Sequence, residues 1–166
     1  MKTRFAGFQP IRDYRLIWGQ EYRHDPYKAK HKLPEPTACP VCGAVYHEGR
    51  WQWAPKPDQA HEEMCPACHR IHDEFPAGFV TVGGPFFKEH REELLHLVKN
   101  EEAKAKAEHP MERIVKIEDQ DDGALVTTTG IHLARGLGEA LHHAYKGELE
   151  FHYNDQENLL RVVWER

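Results

Sequence analysis

Long apolar runs are missing from this chain, and with them any expectation of a membrane-spanning helix. The opening residues, Met1-Lys2-Thr3-Arg4-Phe5, lead into no apolar stretch and no cleavage site, so no secretory signal is expected. Catalytic constellations are missing too. No Ser/His/Asp order, paired-carboxylate setting or glycine-rich phosphate loop stands out, and Gly136-Leu137-Gly138 lacks the preceding strand of a dinucleotide fingerprint. Cysteine is scarce, four in 166 residues, with no fifth to open a coordination position. These absences point away from a membrane protein, an exported protein and an enzyme with a small-molecule substrate. They leave the expectation of a cytoplasmic chain of one domain or two small ones, 30% charged and 40% hydrophobic.

What is present centres on those four cysteines. Cys39-Pro40-Val41-Cys42 and Cys65-Pro66-Ala67-Cys68 are two Cys-x-x-Cys pairs separated by residues 43–64. Each pair makes a tight turn that aims two sulfurs at one point, and two such turns supply the tetrahedral donor set of one structural Zn²⁺. A reducing compartment favours metal over two disulfides. Four thiolates leave no position for a reactive water, so the ion is expected to tie loops together. His61 and His69 flank the second pair and are alternative ligands, though histidines so placed are more often surface or supporting residues.

Charge is unevenly spread. Residues 1–36 hold eight basic side chains against four acidic ones, and the rest of the chain holds 14 against 23. Pro10, Pro26, Pro34 and Pro36 interrupt every regular element in this arm, yet Phe5, Phe8, Tyr14, Trp18, Tyr22 and Tyr27 set it apart from a low-complexity tail. Aromatics interleaved with cations suit stacking on exposed bases and contact with phosphates. The arm candidates for RNA contact are Arg4, Arg12, Arg15, Trp18, Arg23, Lys28, Lys30 and Lys32. An arm that packs its aromatics on its own metal unit, or on a twin chain, fits the same pattern.

Along the chain an α+β organisation emerges: the arm (1–36), a four-cysteine zinc ribbon (37–85), then a long helix and a small ββαββ domain (86–166). In the ribbon, Ala44–His47 and Arg50–Ala54 flank Glu48-Gly49 as a hairpin. Gln59–Met64 suggests a helical turn, and Gly78–Gly83 one more strand. Trp51 and Trp53 share a strand face, either covering a small core or offering a stacking platform beside Arg50. Residues 85–108 read as one helix ended by Pro110. Strands at 112–118 and 124–129, joined by a turn holding Asp122-Gly123, lead to a helix from about Ile131 capped by Thr129. Two more strands follow, at 148–153 and 159–165. Asp119, Asp121 and Asp122 need no metal to explain them at a hairpin turn.

In order, these stretches resemble one family. Cys39-Pro40-Val41-Cys42-Gly43, Gly49-Arg50-Trp51, Met64-Cys65-Pro66-Ala67-Cys68-His69-Arg70 and Gly78-Phe79-Val80-Thr81-Val82 are similar to the zinc ribbon of the archaeal and eukaryotic adaptor that binds the large ribosomal subunit during export and late maturation. The resemblance covers roughly residues 39–166, points to the short bacterial homologues of that family, and is most specific at Cys-x-x-Cys-His-Arg. That family carries four Cys-x-x-Cys pairs, whereas one set of four stands here. No stretch matches the translation-factor-like domain that follows in the adaptor, so nuclear shuttling is not carried over.

The resemblance implies a non-enzymatic zinc ribbon that binds the ribosome or ribosomal RNA, with a ribosomal protein as a further contact. Subunit maturation or protection under stress would be its setting. Arg50, Trp51, His69 and Arg70 join the arm as contact candidates. The alternative is a protein-interaction adaptor with a structural zinc and no RNA partner.

Overall fold

The computed structural model describes residues 9–10, 26–27, 29 and 31–166. Among them the chain is mixed α+β, with four helices and two sheets.

The first sheet surrounds the cysteines. β2 (Thr37–Ala38), β3 (Ala44–His47), β4 (Arg50–Trp53) and β5 (His61–Glu62) lie in the order β4-β3-β2-β5. The hairpin β3–β4 forms where expected. Glu48 and Gly49 carry φ of 51° and 79°, the left-handed pair that a two-residue turn needs to match strand twist. The Glu35 carboxylate accepts from both turn amides, at 3.2 and 3.1 Å.

The helical turn expected over 59–64 is instead strand β5, parallel to β2. The helix begins one step later, as α1 (Pro66–Asp73). Cys65 is extended and serves as its N-cap, and Pro66 at the first helical position brings a preset φ.

The second sheet has six strands: β1 (Gln9–Pro10), β6 (Gly78–Gly83), β7 (Ile114–Gln120), β8 (Gly123–Thr128), β9 (Glu148–Asn154) and β10 (Leu159–Glu165). Their order is β1-β9-β10-β6-β8-β7. The two hairpins and the helix α4 (Ile131–Tyr145) of the expected ββαββ unit are all present.

The difference lies in β6. Read from sequence as the last strand of the ribbon, it runs through the middle of the larger sheet, parallel to β10 and antiparallel to β8. A boundary near residue 85 therefore falls after a central strand of the sheet. Val80 and Val82 are fully buried there, in one core with Val126, Leu137, Leu141, Leu160, Val162 and Trp164.

Residues 85–108 form two helices, α2 (Pro85–Glu89) and α3 (Arg91–Glu108). His90, at φ −121° and ψ 24°, separates them, and its ring stacks on Phe86 at 4.2 Å. Thr129 does not cap α4. Gly130 holds that position, and Glu112 accepts from the Leu133 amide at 3.1 Å. The Thr129 hydroxyl instead donates to the Met111 carbonyl at 2.6 Å and accepts from the Arg113 amide at 2.9 Å. That pair of bonds pins the chain just ahead of β7.

Candidate metal centre

The four cysteines converge. Their sulfurs all lie within 4.8 Å of one another, and none is bonded to another. Cys42 and Cys65 Sγ are 3.8 Å apart, matching the edge of about 3.8 Å in a tetrahedron with metal–sulfur bonds of about 2.3 Å. Two devices fix this geometry. In the first turn, Gly43 at φ 82° lets the chain fold back, with its amide on the Cys39 carbonyl at 3.0 Å and the Cys39 amide on the Ala44 carbonyl at 2.8 Å. In the second, the start of α1 carries Cys65 and Cys68 on one turn, and the Cys68 amide donates to Cys65 Sγ at 3.4 Å. Cys65 N–H reaches across to Cys39 Sγ at 3.3 Å.

Cys39, Cys65 and Cys68 are buried and Cys42 is half-buried. Burial pushes the Cys65 and Cys68 thiols up. Burial also acts on Cys39, but amide donors from Cys65, Cys42 and Val41 outweigh it and bring that thiol down to about 7. Trp51, Met64 and Met111 pack around the cluster, with Trp51 edge-on to Tyr46 at 5.5 Å.

A fifth residue completes the site. Arg113 reaches in from the segment before β7, only 7% exposed. Its Nη1 donates to Cys68 Sγ at 3.3 Å, and its Nη2 to Cys65 Sγ at 3.1 Å and Cys42 Sγ at 3.6 Å. Burial opposes its charge, yet the facing Cys68, Cys65 and Cys42 sulfurs hold its pKa above the ordinary guanidinium value. Four sulfur donors at tetrahedral spacing with a cation at their side form a site able to hold one divalent metal ion. The sequence reading missed Arg113. It stands 45 residues beyond Cys68, and nothing in Met111-Glu112-Arg113 marks it as more than the polar lead into a strand.

The residues expected to contact RNA part company here. Lys32, Arg50 and His69 are exposed. Trp51 is half-buried against the cysteine cluster, as its plainer reading held. Trp53 faces α3 instead: its indole N–H donates to the Lys106 carbonyl at 2.6 Å. Arg70 is 3% exposed. Adjacent helix positions diverge by about 100°, so while His69 faces out, Arg70 turns in. Its guanidinium lies 4.5 Å from the Tyr27 ring centre and donates to the Phe75 carbonyl at 3.0 Å, which commits it to closing α1 rather than to a phosphate. Arg4, Arg12, Arg15, Trp18, Arg23, Lys28 and Lys30 lie outside the described residues.

A cleft of about 250 Å³ between α3 and β7 is lined by Arg91, Glu92, Leu95, His96, Lys99 and Ile117, none of them a residue of the cysteine cluster. Among the described residues no helix is long and apolar enough to cross a membrane. No protein-family model, curated protein or solved structure matches the chain.

Proposed function

We propose that the cysteine cluster holds one structural Zn²⁺, and that the chain is a non-enzymatic binding protein whose metal unit and basic arm recognise ribosomal RNA on the ribosome. Zinc suits the donor set: four soft thiolates, tetrahedral spacing and no open position for water. Cys39, Cys42, Cys65 and Cys68 would hold the ion, which supplies cross-linking and no reaction chemistry.

The observation that carries the binding role is the placement of exposed apolar side chains. Among the described residues the large ones are Val41, Trp53 and Phe75, at 63%, 38% and 49% exposure, and all three belong to the metal unit. A small unit stapled by metal and showing aromatic surface is organised to be touched by something else.

Charge divides the work. Residues 37–76 carry three basic and six acidic side chains, so phosphate contacts fall to the arm, with its eight basic residues. Stacking and shape fall to the metal unit. The resemblance of the Cys-x-x-Cys-His-Arg block to the ribosome-binding ribbon supports the choice of partner.

Sedimentation through a sucrose gradient tests this. The zinc-loaded chain is expected to travel with ribosomes at low salt and to leave them steeply as salt rises, because cation–phosphate contacts release counterions. A chain found only in the soluble fraction at low salt, in growing and stressed cells alike, defeats the proposal. The exposed apolar patch also suits a protein-binding adaptor. Charge reversal at Arg12, Arg15 and Arg23 separates the two: it abolishes RNA binding in the first and leaves association intact in the second.

A further inference from the structure

The structure places a buried cation, carried just ahead of β7 of the large sheet, beside the cysteine cluster of the small one. We propose that Arg113 is a positioning residue that couples metal occupancy to the packing of the β8–α4 corner, so that metal uptake in one unit tightens the other. The inference rests on the reading that the cluster binds metal.

Among the described residues the charge partners of Arg113 are cysteine sulfurs and no carboxylate, and its Nε is buried without a hydrogen-bond partner. Among the described residues the groups its Nη atoms donate to are the sulfurs of Cys42, Cys65 and Cys68. A divalent ion bound by four thiolates leaves a net charge of −2 facing the guanidinium, which halves it. Without a metal, nothing ties the four sulfurs within 4.8 Å of one another, and the fixed set of sulfur acceptors that the buried guanidinium bonds to is lost. A buried charge whose partner is removed is strongly unfavourable. The metal therefore decides whether Arg113 is stable where it sits.

Connection follows from the backbone. The Arg113 amide donates to Thr129 Oγ1 at 2.9 Å, and its carbonyl accepts from the Thr129 amide at 2.8 Å. One residue earlier, Glu112 accepts from the Leu133 amide in the first turn of α4. One residue later, the Ile114 amide donates to Glu102 on α3 at 2.8 Å. The three-residue segment that carries the guanidinium is thus bonded to the β8–α4 corner and to α3, which gives a change at the cluster a direct path to both. Coupling of this kind is reciprocal, so loss of the arginine must also weaken metal binding.

The test uses the full chain, wild type, Arg113→Gln and Arg113→Lys. Absorption of the Co²⁺-loaded proteins first reports whether tetrahedral thiolate coordination is present; a chain that binds neither Co²⁺ nor Zn²⁺ removes the metal reading itself. Zn²⁺ affinity is then measured by competition with a chromogenic chelator, and amide hydrogen exchange over residues 111–133 with and without Zn²⁺.

Arg113→Gln is expected to bind Zn²⁺ about 10- to 100-fold more weakly, the usual loss when a group supporting metal ligands is removed. Arg113→Lys, which keeps the charge, should recover part of that loss. In wild type, stripping the metal should speed exchange over 111–133; in Arg113→Gln the segment should be fast already and indifferent to metal. The proposal is overturned by Zn²⁺ affinity in Arg113→Gln within twofold of wild type, by equal affinity in the two variants, or by the same metal response in Arg113→Gln as in wild type. Should the variants not fold, wild-type exchange alone decides: a segment 111–133 that ignores metal ends the proposal.

Discussion

Two arginines show how a side chain's setting decides its use. Arg70 follows the second cysteine pair directly and reads from sequence as a surface contact, yet it is buried between Tyr27 and Phe75. Arg113 looks like strand flanking and proves to be the cation beside the cysteine cluster. The sulfurs carry a consequence of their own. Burial raises Cys65 and Cys68, so without metal both keep their protons at neutral pH, and metal uptake must expel them. Protons and metal compete, so lowering the pH favours the empty site. At least two displaced protons make the apparent affinity fall by about a hundredfold or more per pH unit. Below about 7 the Cys39 thiol is also protonated and the fall steepens. Calorimetry of Zn²⁺ binding in buffers of different ionisation enthalpy counts the protons, and a count of zero contradicts this account.

At the level of elements, the close fit of β6 against α4 controls the larger core. A β-carbon added at Gly78 would strike Thr128 Oγ1 and lie 2.5 Å from the β-carbon of Ala134. Neither neighbour can retreat easily, because both sit in the buried layer between sheet and helix. Gly78→Ala should therefore lower stability by about 1–3 kcal/mol, the usual cost of overpacking. Thermal unfolding of the zinc-loaded chain checks it, and an unchanged melting temperature would mean that the strand moves freely. The strands and α4 were legible because each has its own local pattern: alternation beside an Asp-Gly turn, or an apolar stripe of Leu133, Leu137 and Leu141. The break at His90 was not legible, since the apolar residues of α2 and α3 continue one another across it.

For the whole molecule the question is how far the two sheets stand or fall together. The larger one holds a core of its own, from Val80 to Trp164, whereas the smaller buries mainly the cysteines, Ala67 and a few small strand residues, Ala38, Ala44 and Val45. On the proposed zinc reading, a unit that small draws folding free energy from its metal. Chelation should therefore open residues 37–76 to protease and leave a resistant fragment of about 77–166, loosened near Arg113. Mass spectrometry of the fragments tests this, and uniform digestion along the chain would show one cooperative unit. The strand at Gly78–Gly83, which the sequence reading assigned to the ribbon ending at residue 85, pairs with β8 and β10 in the larger sheet.

The sequence by itself determined the parts whose cause is local. Spacing within each Cys-x-x-Cys pair sets two sulfurs on one turn, Glu48-Gly49 closes a hairpin, and helical spacing from Ile131 to Tyr145 makes α4. Only the tertiary structure decided which sheet receives Gly78–Gly83, which way Arg70 turns and what stands beside the thiolates. Alternation and helical period tell a buried face from a wet one, but they carry no address for what buries it. Parallel pairing of β6 with β10 joins positions about 80 residues apart, and Arg113 meets Cys68 across 45. Contacts of that range follow from the closure of the whole core, where burying apolar surface and matching buried charges outweigh any local preference.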